Sequence, residues 1–97
     1  MFTGTLSLDL LLGDVRSLKQ KRSVVRPIVA ELRKLDVSVA EVGHLNLYRR
    51  ALIGVAVVSA EAKHCRDVLN TAENQVAGRP EIELLSARHL LYNDNDE

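Results

Sequence analysis

Near the amino terminus the chain alternates. Phe2, Leu6, Leu8, Leu10 and Leu12 take every second position, against Thr3, Thr5, Ser7 and Asp9. A two-residue period belongs to a strand with one buried and one open face. Gly13 and Asp14 end it. From Ser17 to Leu35 the period changes: Leu18, Val25, Ile28, Val29, Leu32 and Leu35 recur at three- and four-residue steps, the stripe of an amphipathic helix. Ser17 followed by Gln20 matches a capping box at its start. Pro27 lies inside this helix and removes the hydrogen bond to the Ser23 carbonyl, which predicts a kink near Ser23 or a regular helix that starts late. A second strand is predicted over Val37–Val42, a connection over Gly43–Tyr48, and a near-uniformly apolar third strand over Arg50–Ser59. Ser59 is the expected N-cap of a second helix, Ala60–Ala77, with Cys65, Val68, Leu69, Ala72 and Val76 inward. Gly78 and Pro80 stop it. The fourth strand is Glu81–Tyr92.

The order is therefore βαββαβ, an α+β chain. Right-handed crossovers in both βαβ units put the two helices on one face of a four-stranded antiparallel sheet with strand order 4-1-3-2. This ferredoxin-like arrangement makes residues 1–92 one domain, with the acidic, unpatterned residues 93–97 expected as a disordered tail. Leu6, Leu8, Leu10, Leu32, Val55, Val57, Leu69 and Ala72 are the expected core. The other sheet face stays open. Leu52 and Val58 have the opposite parity to Ile53, Val55 and Val57, so one of those sets leaves the helix side. An exposed apolar patch there would mark an interface, with a second copy or another protein as the occupant.

Composition narrows the classes. Ninety-seven residues can bury one modest core. Aromatics are only 3% of the chain, so that core is aliphatic. The formal net charge is zero, which argues against indiscriminate nucleic-acid binding. Charge is nevertheless uneven: residues 1–35 carry seven lysines and arginines against three acids. No signal-peptide pattern or membrane-length apolar run is present, and Cys65 is the single cysteine. The expectation is a cytoplasmic protein with no membrane partner.

The candidate chemistry is sparse. Lys19, Arg22, Arg26 and Arg33 form a basic stripe beside the apolar one on the first helix, with Arg49 and Arg50 as a second basic group. Such groups are handles for phosphates or an acidic partner, and phosphate contacts position a nucleic acid without reading its sequence. The two central strands offer Phe2, on the helix side, and no other aromatic, which argues against base stacking on the sheet. On spacing alone an ordinary solvated helix face is the simpler reading. The connection carries His44 and Tyr48 as candidate recognition residues. Lys21 falls towards the apolar face; pairing with a carboxylate such as Glu41 would satisfy it, in a structural role. An acylphosphatase-type anion site would need a glycine-rich loop before the first helix. Here Arg16 stands there with Asp14, which repels phosphate. His64 and Cys65 are adjacent and diverge on a helix, so no metal site is expected. No cofactor motif, and no catalytic residue, is assigned.

Two blocks add a resemblance. Ser17-Leu18-Lys19-Gln20-Lys21-Arg22 resembles the SLKEKR signature of the YlxP-like family of small bacterial proteins. The run Val37–Val42, then Leu47-Tyr48 and Ala51–Val58, is similar to that family's second block. Gln20 replaces the usual Glu and Tyr48 the usual Trp. The resemblance implies a ferredoxin-like fold. Through the genes that often neighbour the family's own, it also implies a link to translation and ribosome maturation, with ribosomal RNA, a ribosomal subunit or an assembly factor as partner. It brings no catalytic residues. A non-catalytic RNA or ribonucleoprotein binding module is thus the leading expectation, a homodimerising or protein-binding module on the open sheet face the alternative, and a phosphate-binding hydrolase the third.

Overall fold

The computed structural model describes residues 1–94. Its elements are β1 (Phe2–Leu12), α1 (Leu18–Arg33), β2 (Ser38–Gly43), β3 (Arg50–Ser59), α2 (Ala62–Ala77) and β4 (Ile82–Asn93). All strands pair antiparallel, in the order β2-β3-β1-β4. This is the ferredoxin-like α+β fold.

Alternation decides which face is buried. The even positions of β1 and the odd positions of β3 pair as Leu6 with Val55, Leu8 with Ile53 and Leu10 with Ala51. These side chains are buried under the helices together with Leu12, Ile28, Leu32, Leu69, Ala72 and Val76. Every residue of the predicted core is in this cluster. The parity question resolves with Ile53, Val55 and Val57 inward and Leu52 and Val58 on the open face. Gly4 marks the closest approach of α2 to the sheet. A Cβ there would lie 2.8 Å from Leu69 Cδ1 and 3.2 Å from the buried Cys65 Cβ, so a side chain at this position would force Leu69 and α2 to give way.

Several local details differ from the sequence expectation. The regular helix α1 begins at Leu18 and runs through Pro27 without interruption. Ser23 and Pro27 both lie on its exposed side, so solvent can satisfy the carbonyl that proline orphans. Ser17 Oγ accepts from the Gln20 N–H at 3.1 Å, and Gln20 Oε1 accepts from the Arg16 N–H at 2.7 Å, one residue ahead of the usual capping-box partner. Past the helix, Asp36 takes a left-handed conformation (φ 62°), which short polar side chains tolerate. Ser59 does not cap α2. It ends β3, and its Oγ accepts from the Glu61 N–H at 3.0 Å, so the chain needs two further residues to leave the sheet before the helix starts at Ala62. β4 reaches Asn93, and the Asp94 N–H donates to the Met1 carbonyl at 2.9 Å, which extends the sheet into the predicted tail. Residues 95–97 of that tail lie outside the described residues.

Leu32 is 1% exposed in the centre of this core. Leu32→Ala is expected to cost about 2–5 kcal/mol through lost transfer energy and the cavity left behind. A urea denaturation midpoint measures it, and an unchanged midpoint would contradict the packing described.

Candidate functional site

The end of the molecule where α1 begins and the β2–β3 connection turns gathers most of the singled-out residues. Lys21, one turn into α1, points under the connection and is 3% exposed. Its Nζ lies 2.7 Å from Glu41 Oε2 and donates to the His44 carbonyl at 2.8 Å. Glu41 projects to the helix side because it pairs with Ile53 in the sheet register. The Lys21–Glu41 contact is Coulombic rather than a well-directed hydrogen bond, so Glu41 Oε2 is partnered by charge alone. A buried ammonium is tolerable only with such partners. The clamp holds His44 in a left-handed conformation (φ 57°), and the His44 carbonyl also accepts from the Leu47 N–H at 3.0 Å.

A second network lies on the open face of the sheet. Arg50 Nη2 donates to both oxygens of Asp9, at 2.9 and 2.8 Å, with Nε adding a longer contact at 3.3 Å. His44 Nε2 stands 3.5 Å from Asp9 Oδ1 and from Arg50 Nη2. Arg49 Nε donates to the Gly13 carbonyl at 2.9 Å, tying the connection to the loop before α1. Arg33, the last of the basic stripe, donates to the Val39 carbonyl at 3.3 Å. Arg33, Arg49 and Arg50 thus each donate to a group of the fold itself, and His44 stands beside the Arg50–Asp9 pair.

What stays free is narrower than the sequence suggested. Lys19, Arg22 and Arg26 are exposed on α1, form no ion pair among the described residues, and line one shallow groove with Ser23 and Pro27. No acid stands among them. The acidic residue of this helix is Glu31, which pairs with Lys34 at 3.0 Å. Lys19 lies in the first turn of α1, where the helix dipole disfavours positive charge and favours an anion, and Arg22 and Arg26 follow about one and two turns further on. Ahead of the helix, Arg16 is paired with Asp14 at 3.1 Å, and the cap is filled by Ser17 and Gln20. The position an acylphosphatase-type anion would take is occupied by the chain's own groups.

Tyr48 is 47% exposed at the tip, beside Leu45 at 58% and Leu47 at 48%. Sequence reasoning missed these two leucines, because apolar residues in a short loop have no period to place them. It also missed Asp9 as the anchor of Arg50. The available signal was a single acid in the otherwise neutral open-face set of β1. On that face Thr3, Thr5 and Ser7 run down the middle, with Val58 and Ala56 on one side and Tyr92 and Leu90 on the other. Among the described residues no three His, Cys, Asp or Glu side chains converge in a way that could hold a metal ion, and no helix is long and apolar enough to cross a membrane.

The fold and this site define a small α+β module in which several polar groups brace its own loops and three unpaired cations share one face of α1. Comparison with known proteins places it. Residues 3–89 match the model of a protein family of unknown function, DUF503, and the chain belongs to that family. It is 30% identical over 76 residues to the uncharacterized protein YlxP of Bacillus subtilis (strain 168), covering 77% of this chain and 83% of that protein. Among solved structures it is similar to a point mutant of SnoaB, a cofactor-independent oxygenase from Streptomyces nogalater. The TM-score is 0.51 at 10% identity, over 98% of this chain and 95% of the other. At that identity the likeness is one of fold.

The Lys21 clamp generates a stability prediction. Lys21→Ala leaves Glu41 as an uncompensated, largely buried carboxylate and is expected to cost about 3 kcal/mol. The double variant Lys21→Met, Glu41→Leu should recover much of that loss. Urea unfolding of the two variants measures the difference, and equal destabilisation would show that the loss does not come from the unpaired Glu41 carboxylate.

Proposed function

We propose that this protein is a non-catalytic module that binds RNA or an RNA–protein assembly through the exposed face of α1. The observation that carries the reading is the set Lys19, Arg22 and Arg26: adjacent, solvent-facing, unpaired among the described residues and without an interleaved acid. A solvated helix face ordinarily mixes signs at three- and four-residue spacing, since opposite charges there stabilise the helix and like charges destabilise it. Here like charges repeat at those spacings and the opposing charge is missing, which a row of phosphates would supply. The ribosomal partner implied by the family resemblance, whether ribosomal RNA, a subunit or an assembly factor, is the candidate ligand.

The clamped connection fits the same reading. Tyr48, Leu45 and Leu47 are presented on a loop held by Lys21, Arg49 and Arg50, at the end of the molecule where the basic face begins. Phosphate contacts along α1 would set orientation, while an exposed aromatic ring offers a flat surface for an unpaired base.

Co-sedimentation of the purified protein with ribosomal subunits across a salt series tests this. Each phosphate neutralised releases counterion. Binding should therefore weaken with log salt at a slope of about −2 to −3 for three contacts, and Lys19→Glu should flatten the slope by about one unit. The charge-reversal variant Lys19→Glu, Arg22→Glu, Arg26→Glu should lose association. Association that ignores both salt and charge reversal, or no association under any condition, would overturn the proposal.

A further inference from the structure

The two edges of the sheet differ. At the β2 edge the strand is six residues long, its pairing shifts between Glu41 and Gly43, and the Val39 carbonyl is taken by the Arg33 guanidinium. The β4 edge runs for twelve residues with neither lysine nor proline in it. Leu90, Leu91 and Tyr92 stand 37%, 40% and 55% exposed along it. This edge carries Arg88 and His89 and a register shift of its own between Ser86 and Leu84, but from Ser86 to Asn93 its pairing with β1 is regular, and a regular edge of that length is a template for another strand.

The register shows which main-chain groups are free. The Asp94 N–H donates to Met1 O, so residue 94 turns its main chain towards β1. Pairing is unbroken from Phe2 with Asn93 to Asp9 with Ser86. The alternation of an antiparallel ladder then turns Tyr92, Leu90, Arg88 and Ser86 towards β1, and directs the N–H and C=O groups of Asn93, Leu91, His89 and Ala87 outward. Among the described residues those outward groups have no partner.

We infer that β4 pairs with β4 of a second copy, antiparallel about a two-fold axis at Leu90, giving one continuous sheet through both molecules. A two-fold pairing must match outward-facing residues with outward-facing residues on the same sheet face. An axis at Leu90 does so. His89 meets the partner's Leu91 and Ala87 meets the partner's Asn93, which satisfies all four outward residues. On the open face Leu90 then lies against the partner's Leu90. Arg88 lies opposite the partner's Tyr92, with the partner's Asp94 as its diagonal neighbour. A cation so faces an aromatic ring and a carboxylate, and only apolar residues face themselves. Moving the axis to His89 would set that imidazole against its own copy and leave Arg88 against leucine. Stacking the open faces instead would bury Thr3, Thr5 and Ser7 without assigned partners. The inference does not depend on RNA binding.

Sedimentation velocity and cysteine cross-linking test it on the full chain. The native protein should sediment as a dimer. Across the axis the two Leu90 residues form a non-hydrogen-bonded pair, whose Cα atoms lie about 4.5 Å apart, within disulfide range. Leu90→Cys should therefore give a disulfide-linked dimer on air oxidation, with the native Cys65 fully buried and silent. Ala56→Cys, on the same face but two strands away in β3, should not. Leu91→Pro removes an outward N–H and leaves the β1 ladder intact; it should sediment as a monomer with native circular dichroism. Should that variant fail to fold, Arg88→Glu, which opposes the partner's Asp94, should abolish the dimer in its place. A monomer at every concentration, cross-linking through Ala56→Cys and not Leu90→Cys, or a folded Leu91→Pro or Arg88→Glu variant that stays dimeric would each overturn the inference.

Discussion

Everything else in this fold depends on the alternation of β1. The strand sits inside the sheet, paired with β3 on one side and β4 on the other, so its side chains can only go up or down. Leu6, Leu8, Leu10 and Leu12 go towards the helices and are fully buried. Together with Ile53 and Val55 they make the floor on which α1 and α2 rest. A slip of one residue would exchange that floor for Thr5, Ser7 and Asp9 and leave the helices without an apolar surface. The same alternation presents Asp9 on the far face, where it is available to Arg50.

The polar economy of the molecule follows from how short its loops are. Arg49, Arg50 and Lys21 each reach a carbonyl or carboxylate in another part of the chain and hold the β2–β3 connection to β1, α1 and the loop between them. A connection of this kind, with left-handed backbone at His44 and three exposed apolar side chains, has little packing of its own to define its shape. Electrostatic bracing supplies that definition. The consequence is a separation of roles within the basic clusters: Arg33, Arg49 and Arg50 brace the fold, while Lys19, Arg22 and Arg26 remain unpaired among the described residues on one face of α1. Within the SLKQKR segment these roles are divided, since Lys21 is buried while Lys19 and Arg22 face solvent.

The fold was legible because it is written in periodicity. Two-residue steps in β1 and β3 and three- to four-residue steps in α1 and α2 are local patterns, and the connection lengths permit few ways of joining them. The errors lie where local pattern has no authority. Ser59 has the chemistry of a helix cap but sits where the chain is still leaving the sheet. Pro27 has the chemistry of a helix breaker but falls on the solvent side, where a lost hydrogen bond can be replaced by water. Asn93 looks like the start of a tail but lies opposite Phe2 and completes the ladder.

For the candidate site the division is sharper. Sequence by itself determined which residues carry positive charge, which faces they share on α1, and that Lys21 would need a carboxylate. Only the tertiary structure decided which charges remain available, because an ion pair is a property of distance between segments remote in the chain. Asp9 meets Arg50 across forty-one positions, Gly13 meets Arg49 across thirty-six, and Lys21 meets the His44 carbonyl across twenty-three. Those separations close when β1, β3 and α1 are brought together by burial of their apolar faces, which acts without regard to the charges it carries along.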